Sequence, residues 1–347
     1  MIKSIYMGKE DIRQKEGPIP SAGNNDIVIK NIYSSICGTD VAVYKYGNKT
    51  GHKIESGQEF GHETISQVVE VGKNVRGLEV GEYVYPYPRF AKDDTKRAGT
   101  LGAFSEYILV PNCILSKSVY KLKMSIDLKE ACLIEPFTVG CRAARRSEPK
   151  PGESAVIFGA GTIGIAAAIS LKFFGIEKIM MIDISDFRLN KCKELGFEIC
   201  NRASENAKEK MIEYFGNANS IHGITGNVDI FIDCAGADDI IPTYQSYGKI
   251  ESRLVVVAVN KGIKGVDILD LTYSQHAIIG SGGYMPEDVR DVMKIMASKK
   301  YDIKSIITDE YSIKDLPKAI EKAGQTDKAF NVIIDFSKSR PPAKPEA

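Results

Sequence analysis

The rhythm of apolar and polar residues changes near residue 125. Before it, short runs rich in Val, Ile and Tyr are cut by Gly and Pro: DIVIKNIYSSI, ISQVVEVGKNV, EYVYPYP and FSEYILVPN. β-Branched and aromatic residues in such runs suit half-buried strands, and the closely spaced turn signals predict a barrel-like β domain. After it, SIDLKEACLIEPFTVGCRAARR carries apolar residues at helical spacing, and the polar turn SEPKPGES follows. The chain then alternates: strand SAVIFGA, helix TIGIAAAISLKFFG, strand KIMMIDIS, helix FRLNKCKELG, and later the strands VDIFIDCAG, RLVVVAV and HAIIGSG. Apolar strands alternating with helices predict a doubly wound parallel sheet, so the fold class is α/β. The helical stretches PEDVRDVMKIMASKK and SIKDLPKAIEKAG surround the short strand SIITDEYS, and FNVIIDF closes the pattern as another strand.

These patterns predict a β-rich domain over residues 1–125, completed by about 295–338, and a doubly wound domain over 126–294. The Pro-rich, polar tail at 339–347 is expected to be disordered. Two domains also suit a chain of 347 residues, too long for one typical core. Forty-six basic residues against 45 acidic ones give no reason to expect nucleic acid or an anionic membrane as partner. The apolar runs fall far short of a membrane span, and MIKSIYMGKEDIRQ carries charges where a signal peptide needs an apolar stretch, so a cytoplasmic location is expected. The seven cysteines are scattered without a C-x-x-C pair, which favours reduced thiols over disulfides or a zinc knuckle.

Two places carry chemistry. Gly159-Ala160-Gly161-Thr162-Ile163-Gly164 is a G-x-G-x-x-G between an expected strand and an expected helix. Its glycines permit a tight turn, close approach of backbone to a pyrophosphate and helix-to-strand packing, with helix N-terminal amides on the phosphates. Asp183 ends the next strand, where a carboxylate hydrogen-bonds ribose hydroxyls and repels a 2′-phosphate, favouring NAD over NADP. A helix cap for FRLNK is the alternative role for Asp183, and Arg188 either borders the adenine or accommodates a phosphate. Ala258 in RLVVVAV and Ser281 in HAIIGSG complete the expected cofactor contacts. In the β-rich half, Cys37-Gly38-Thr39-Asp40 follows a strand, and Gly61-His62-Glu63 comes about 25 residues later. Thiolate, imidazole and carboxylate are zinc donors, although each residue alone is as consistent with a core or surface role.

The strings CGTD, GHE, VVEVG, FSEY, EPFTVG, PGESAVIFGAGTIG and DISDFRLNKCKELG together resemble, in order and spacing, the zinc-dependent medium-chain alcohol dehydrogenases, in particular their polyol branch. The resemblance spans nearly the whole chain. It implies a GroES-like catalytic domain beside a Rossmann domain, an active site in the cleft between them, and a homodimer or homotetramer. It implies Cys37 and His62 as zinc ligands, Glu63 as a carboxylate that binds zinc or swings in, and Glu135 of Glu135-Pro136-Phe137 as a ligand, direct or through water. It also implies that Thr39 is the hydroxyl that accepts a hydrogen bond from the substrate and starts the proton path outward.

The chain departs from that pattern in three places. PRFAKDDTKRAGTLG lacks the cysteines of a structural-zinc lobe, so one catalytic zinc is expected. Ala42 stands where a relay histidine is common, leaving water, cofactor ribose hydroxyls or His52 to finish the proton path. Phe104 and Tyr284 fall at pocket positions, but Val43 and Gly283 replace an aromatic residue and an Arg, which suggests a substrate smaller or less hydroxylated than a hexitol. The expected activity is NAD-linked interconversion of a secondary alcohol (a polyol, a sugar alcohol or its phosphate) and a ketone. A butanediol- or threonine-type substrate is the near alternative. A non-catalytic nucleotide-binding protein and a zinc-free quinone reductase are disfavoured by the Cys37–His62–Glu63 set.

Overall fold

Strand Ile27–Ser35 is the axis of the first half of the chain. Its Ile, Val and Tyr side chains suit a pleated, buried surface. It pairs antiparallel with Glu63–Val71 along its length, with Tyr107–Val110 at one end and with Asn331–Asp335 at the other. The sheet runs in the order Ile307–Tyr311, Asn331–Asp335, Ile27–Ser35, Glu63–Val71, Tyr83–Pro86, Val119–Lys121. Ile307–Tyr311 lies parallel to Asn331–Asp335, so this late part of the chain is built into the first sheet. A smaller sheet joins Asp11–Glu16, Ile2–Gly8 and Gln58–Glu59.

The computed structural model describes residues 1–47, 53–92, 98–259, 262 and 265–339. Contacts divide the chain into two units, one of Met1–Glu135 with 296–299 and the chain from Ile303 onward, the other of Pro136–Ile295 with 300–302. In the first, helix Gly38–Tyr46 follows Cys37 directly. Val43 and Tyr44 of that helix share an apolar cluster with Leu316, Ala319 and Ile320 of helix Leu316–Ala323 and with Phe60 and Phe104. That packing accounts for a helix rich in Val and Tyr, residues of modest helix propensity.

In the second unit six strands are all parallel: Ser154–Phe158, Lys178–Asp183, Glu198–Asn201, Ile230–Asp233, Arg253–Val256 and Ala277–Gly280. Numbered along the chain, their spatial order is 3-2-1-4-5-6, the Rossmann arrangement, with the order reversing between Ser154–Phe158 and Ile230–Asp233. The first strand is buried at every position, as is helix Thr162–Phe173 from Gly164 to Leu171, which explains the near-continuous apolar run in both. The helical pattern around Glu135 resolves into Leu128–Ala131 and Ile134–Arg146. Three elements have weaker signatures: the helix after Cys37, the strand pair at residues 2–16, and the hairpin Asn217–Ser220 with Gly223–Gly226. Among the described residues no helix is long and apolar enough to cross a membrane.

Candidate metal centre and dinucleotide loop

The register of one strand pair builds the metal centre. Ser35 lies opposite Glu63, so Cys37, two residues past the end of its strand, comes to His62 and Glu63 at the start of the other. One donor atom from each of Cys37, His62 and Glu63 lies within 4.8 Å of the other two. Glu63 Oε2 is buried and has no hydrogen-bond partner among the described residues. Gly61 has φ +90, a left-handed conformation that lets the chain turn into the strand with His62 and Glu63 side by side.

Asp40, fully buried, ties the two strings together. Its Oδ2 accepts from the Cys37 amide at 3.0 Å, and its Oδ1 lies 3.4 Å from His62 Nδ1. A carboxylate on Nδ1 orients the ring and leaves Nε2 for a metal, the carboxylate–histidine arrangement of zinc sites. Asp40 is thus part of the site although its own role was not apparent in CGTD; its spacing three residues after Cys37, that of a capping residue, was the available signal. Burial and the negative charge of Glu63 push the Cys37 thiol up to about 11. Burial and the charge of Glu135 push Glu63 up to about 8. Burial pulls His62 down, but the Asp40 carboxylate outweighs it and holds the imidazole well above its ordinary value. Crowded acidic donors of this kind hold protons that a dication displaces, so the thiolate, imidazole and carboxylate set fits zinc.

The remaining expected residues of this unit fall into two groups. Glu135, buried in the first turn of Ile134–Arg146, stands outside the 4.8 Å set and acts on it through its charge. Thr39 Oγ1, beside the donors in sequence, is buried without a hydrogen-bond partner among the described residues. Val43 and Phe104, expected at substrate-pocket positions, are fully buried and belong to one apolar cluster. The reason is local: Val43 lies on the inner face of the helix after Cys37, and the Phe104 ring packs on Gly61 and Phe60. Ala42 lies in that same helix, and His52 lies outside the described residues, as do residues 93–97 of the cysteine-free stretch and 340–347 of the tail.

In the other unit, the glycine loop sits at the carboxyl end of the first strand, where the strand order reverses. Gly159 has φ +99, and a Cβ there would come within 2.9 Å of the Ala235 amide nitrogen. A Cβ on Gly164 would lie 1.9 Å from the Gly159 carbonyl oxygen. Gly161 caps helix Thr162–Phe173, whose first amides, at Thr162 and Ile163, have no partner one turn back and suit an anion. Asp183 does not cap the helix Asp186–Glu194; Ser185 does. Asp183 instead accepts from Ala160 N at 2.7 Å, Ile184 N at 2.7 Å and Ser185 N at 3.0 Å, which ties the glycine loop to the second strand. The Arg188 guanidinium lies over Gly161, 2.7 Å from where a Cβ would be, and so brings a cation beside the glycine loop.

Ala258 packs on Gly236, and the Ser281 hydroxyl is buried without a partner among the described residues; both follow the carboxyl ends of strands. Tyr284, buried, follows Gly283 at φ +62. Asp233, whose contribution no motif announced, accepts from the Ala235 and Gly236 amides at 3.0 and 2.7 Å and shapes the turn that Gly159 packs against.

Profiles of two families match this chain. One, described as "Zinc-binding dehydrogenase", covers residues 162–298, and the other, described as "Alcohol dehydrogenase GroES-like domain", covers residues 23–120. Sorbitol dehydrogenase 1 of Saccharomyces cerevisiae is 27% identical over 331 residues, 90% of this chain and 91% of the yeast protein. L-threonine 3-dehydrogenase of Bacillus velezensis is 29% identical over 336 residues, 91% of this chain and 94% of its own. In fold, 2R,3R-butanediol dehydrogenase from Bacillus subtilis matches with a TM-score of 0.84 at 22% identity, over 96% of this chain and 99% of that one. Fold, donor set and matches together define a metal-dependent oxidoreductase. The chain belongs to the zinc-dependent medium-chain alcohol dehydrogenase family, with a GroES-like and a Rossmann domain. Zinc and a nicotinamide dinucleotide are the cofactors this assignment brings.

Proposed function

We propose that the protein interconverts a secondary alcohol and a ketone with NAD⁺ and NADH, acting on a polyol, a sugar alcohol or its phosphate. The observation that carries this reading is the Cys37–His62–Glu63 cluster, half-buried at Cys37 and buried at His62 and Glu63, with an unpartnered carboxylate oxygen and Asp40 behind its histidine. Cys37 and His62 would hold the zinc, with Glu63 as a carboxylate that binds it or swings in and Glu135 as a further carboxylate ligand, direct or through water. When bound, zinc would supply Lewis acidity toward an alcohol oxygen and a nicotinamide would supply the hydride acceptor. Thr39 Oγ1, lacking a competing partner, accepts a hydrogen bond from the substrate hydroxyl and starts the proton path outward, giving up its own hydroxyl proton toward solvent as it takes the substrate's. Gly159, Gly161, Thr162, Ile163 and Gly164 seat the pyrophosphate, Arg188 adds a cation there, and Asp183 selects NAD by repelling a 2′-phosphate. Ala258, Ser281 and Tyr284 complete the contacts to cofactor and substrate.

A butanediol- or threonine-type substrate on the same machinery is the second reading, favoured by the resemblance to a threonine dehydrogenase and by the small side chain of Ala42. A screen of NAD⁺ reduction over polyols, sugar alcohols and their phosphates, diols and amino alcohols separates the two. Turnover of polyols or their phosphates ahead of diols and threonine is expected; turnover confined to diols or threonine selects the second reading, and none with any alcohol contradicts both.

A further inference from the structure

Beneath the turn that carries His62 and Glu63 lies a buried polar network that the proposed chemistry does not use. Asn31, fully buried in strand Ile27–Ser35, sits where the register against Glu63–Val71 slips: Asn31 faces Ser66, but Tyr33 already faces Ile65. The extra residue on the Asn31 strand is a β-bulge, a device that re-aims side chains. Asn31 Nδ2 reaches the carbonyls of Ser105 at 2.7 Å, Gly102 at 3.2 Å and Ala103 at 3.3 Å, while its Oδ1 accepts from Ser66 Oγ at 2.7 Å. Ser34 Oγ donates to the Ala103 carbonyl at 2.6 Å.

The loop held in this way faces the metal-binding turn with its amides. Gly102 N and Ala103 N both donate to the Gly61 carbonyl at 3.2 Å, and Phe104 N donates to the Phe60 carbonyl at 3.1 Å. The Phe104 ring closes over Gly61, where an added Cβ would lie 2.6 Å from it. Asn31 and Ser34 therefore hold the loop from below, and the loop holds the residues just before His62. A buried amide is costly unless bonded, and this one bonds with its donors and its acceptor, which makes the network a rigid specifier of geometry.

We infer that Asn31 is a positioning residue of the metal centre: through the 102–105 loop it sets the direction in which His62 and Glu63 leave the Gly61 turn. This inference rests on the proposed zinc site. Its test uses metal-free full-length protein in three variants beside the wild type: Asn31→Leu, Ser34→Ala, and Ile108→Val as a core control in the same sheet. Each is titrated with Zn²⁺ against a competing chelator and with Co²⁺ by visible absorption, below its unfolding temperature. Asn31→Leu weakens zinc binding by about tenfold to hundredfold, the usual effect of losing a supporting group around a metal site, and shifts the Co²⁺ spectrum. Ser34→Ala moves both in the same direction by less. Ile108→Val leaves both unchanged, and NAD binding stays at the wild-type value in all three. Wild-type zinc affinity and Co²⁺ spectrum in both network variants, whatever their melting temperatures, overturn the inference; if Asn31→Leu does not fold, Ser34→Ala decides alone. A wild-type protein that binds no metal, or one whose binding survives Cys37→Ser unchanged, overturns the zinc site itself and the inference with it.

Discussion

At the dinucleotide loop the groups that would face a ligand are backbone groups, and at the metal centre they are side chains. Gly159, Gly161 and Gly164 work by having no side chain, in a space where a Cβ would strike backbone or Arg188, and the first amides of the helix offer the hydrogen bonds. The whole device occupies six consecutive residues, with Asp183 returning from the next strand to hold it. Cys37, His62 and Glu63 instead reach one point from two chain segments, and they depend on strand register, on Asp40 and on the loop beneath Gly61. A site made of backbone is defeated by adding an atom; a site made of side chains is defeated by removing one.

Substitutions in each region sharpen that contrast. The largest effect belongs to His62→Ala, which removes a donor and leaves Asp40 buried opposite a void. Turnover falls by on the order of a thousandfold, corresponding to the several kcal/mol of Lewis-acid stabilisation lost with the metal. NAD binding, followed by quenching or calorimetry, stays near the wild-type value. Retained turnover in metal-depleted His62→Ala would break the distinction. Gly164→Ala does the opposite. Its new Cβ meets the Gly159 carbonyl oxygen 1.9 Å away, an overpacking that costs about 1–3 kcal/mol and displaces the loop. NAD binding is expected to weaken at least tenfold while zinc content, by elemental analysis, is unchanged; wild-type NAD affinity would show that the close contact is not needed.

The smallest effect is expected of Asp183→Ser. It lowers the preference for NAD over NADP by about tenfold, and it lowers the melting temperature because three amides lose a charged acceptor. A changed melting temperature with an unchanged cofactor ratio would leave Asp183 a loop support alone.

The same contrast explains what could be read from the sequence. The alternating strands and helices after residue 150 are local patterns, and the six-stranded parallel sheet follows them closely. CGTD and GHE were visible as strings, but that Ser35 pairs with Glu63 and so brings them together is a property of the sheet. Asn31 looks like a polar interruption in a strand until its three carbonyl partners, more than seventy residues away, are in place. Val43 and Phe104 hold pocket positions by resemblance, and the packing that buries them, between the helices at 38–46 and 316–323 and around Gly61, joins segments far apart in the chain. Helix Gly38–Tyr46 was hidden because its stability comes from that packing and not from its own residues.

The central claim is that Cys37, His62 and Glu63 hold one zinc. X-ray absorption at the zinc edge, on purified full-length protein and on Cys37→Ser, tests it most directly. The wild type should contain about one zinc per chain with a single sulfur near 2.3 Å and nitrogen or oxygen ligands near 2.0–2.2 Å, and the sulfur should vanish in Cys37→Ser. A zinc shell without sulfur in the wild type, or one that Cys37→Ser leaves unchanged, would contradict it.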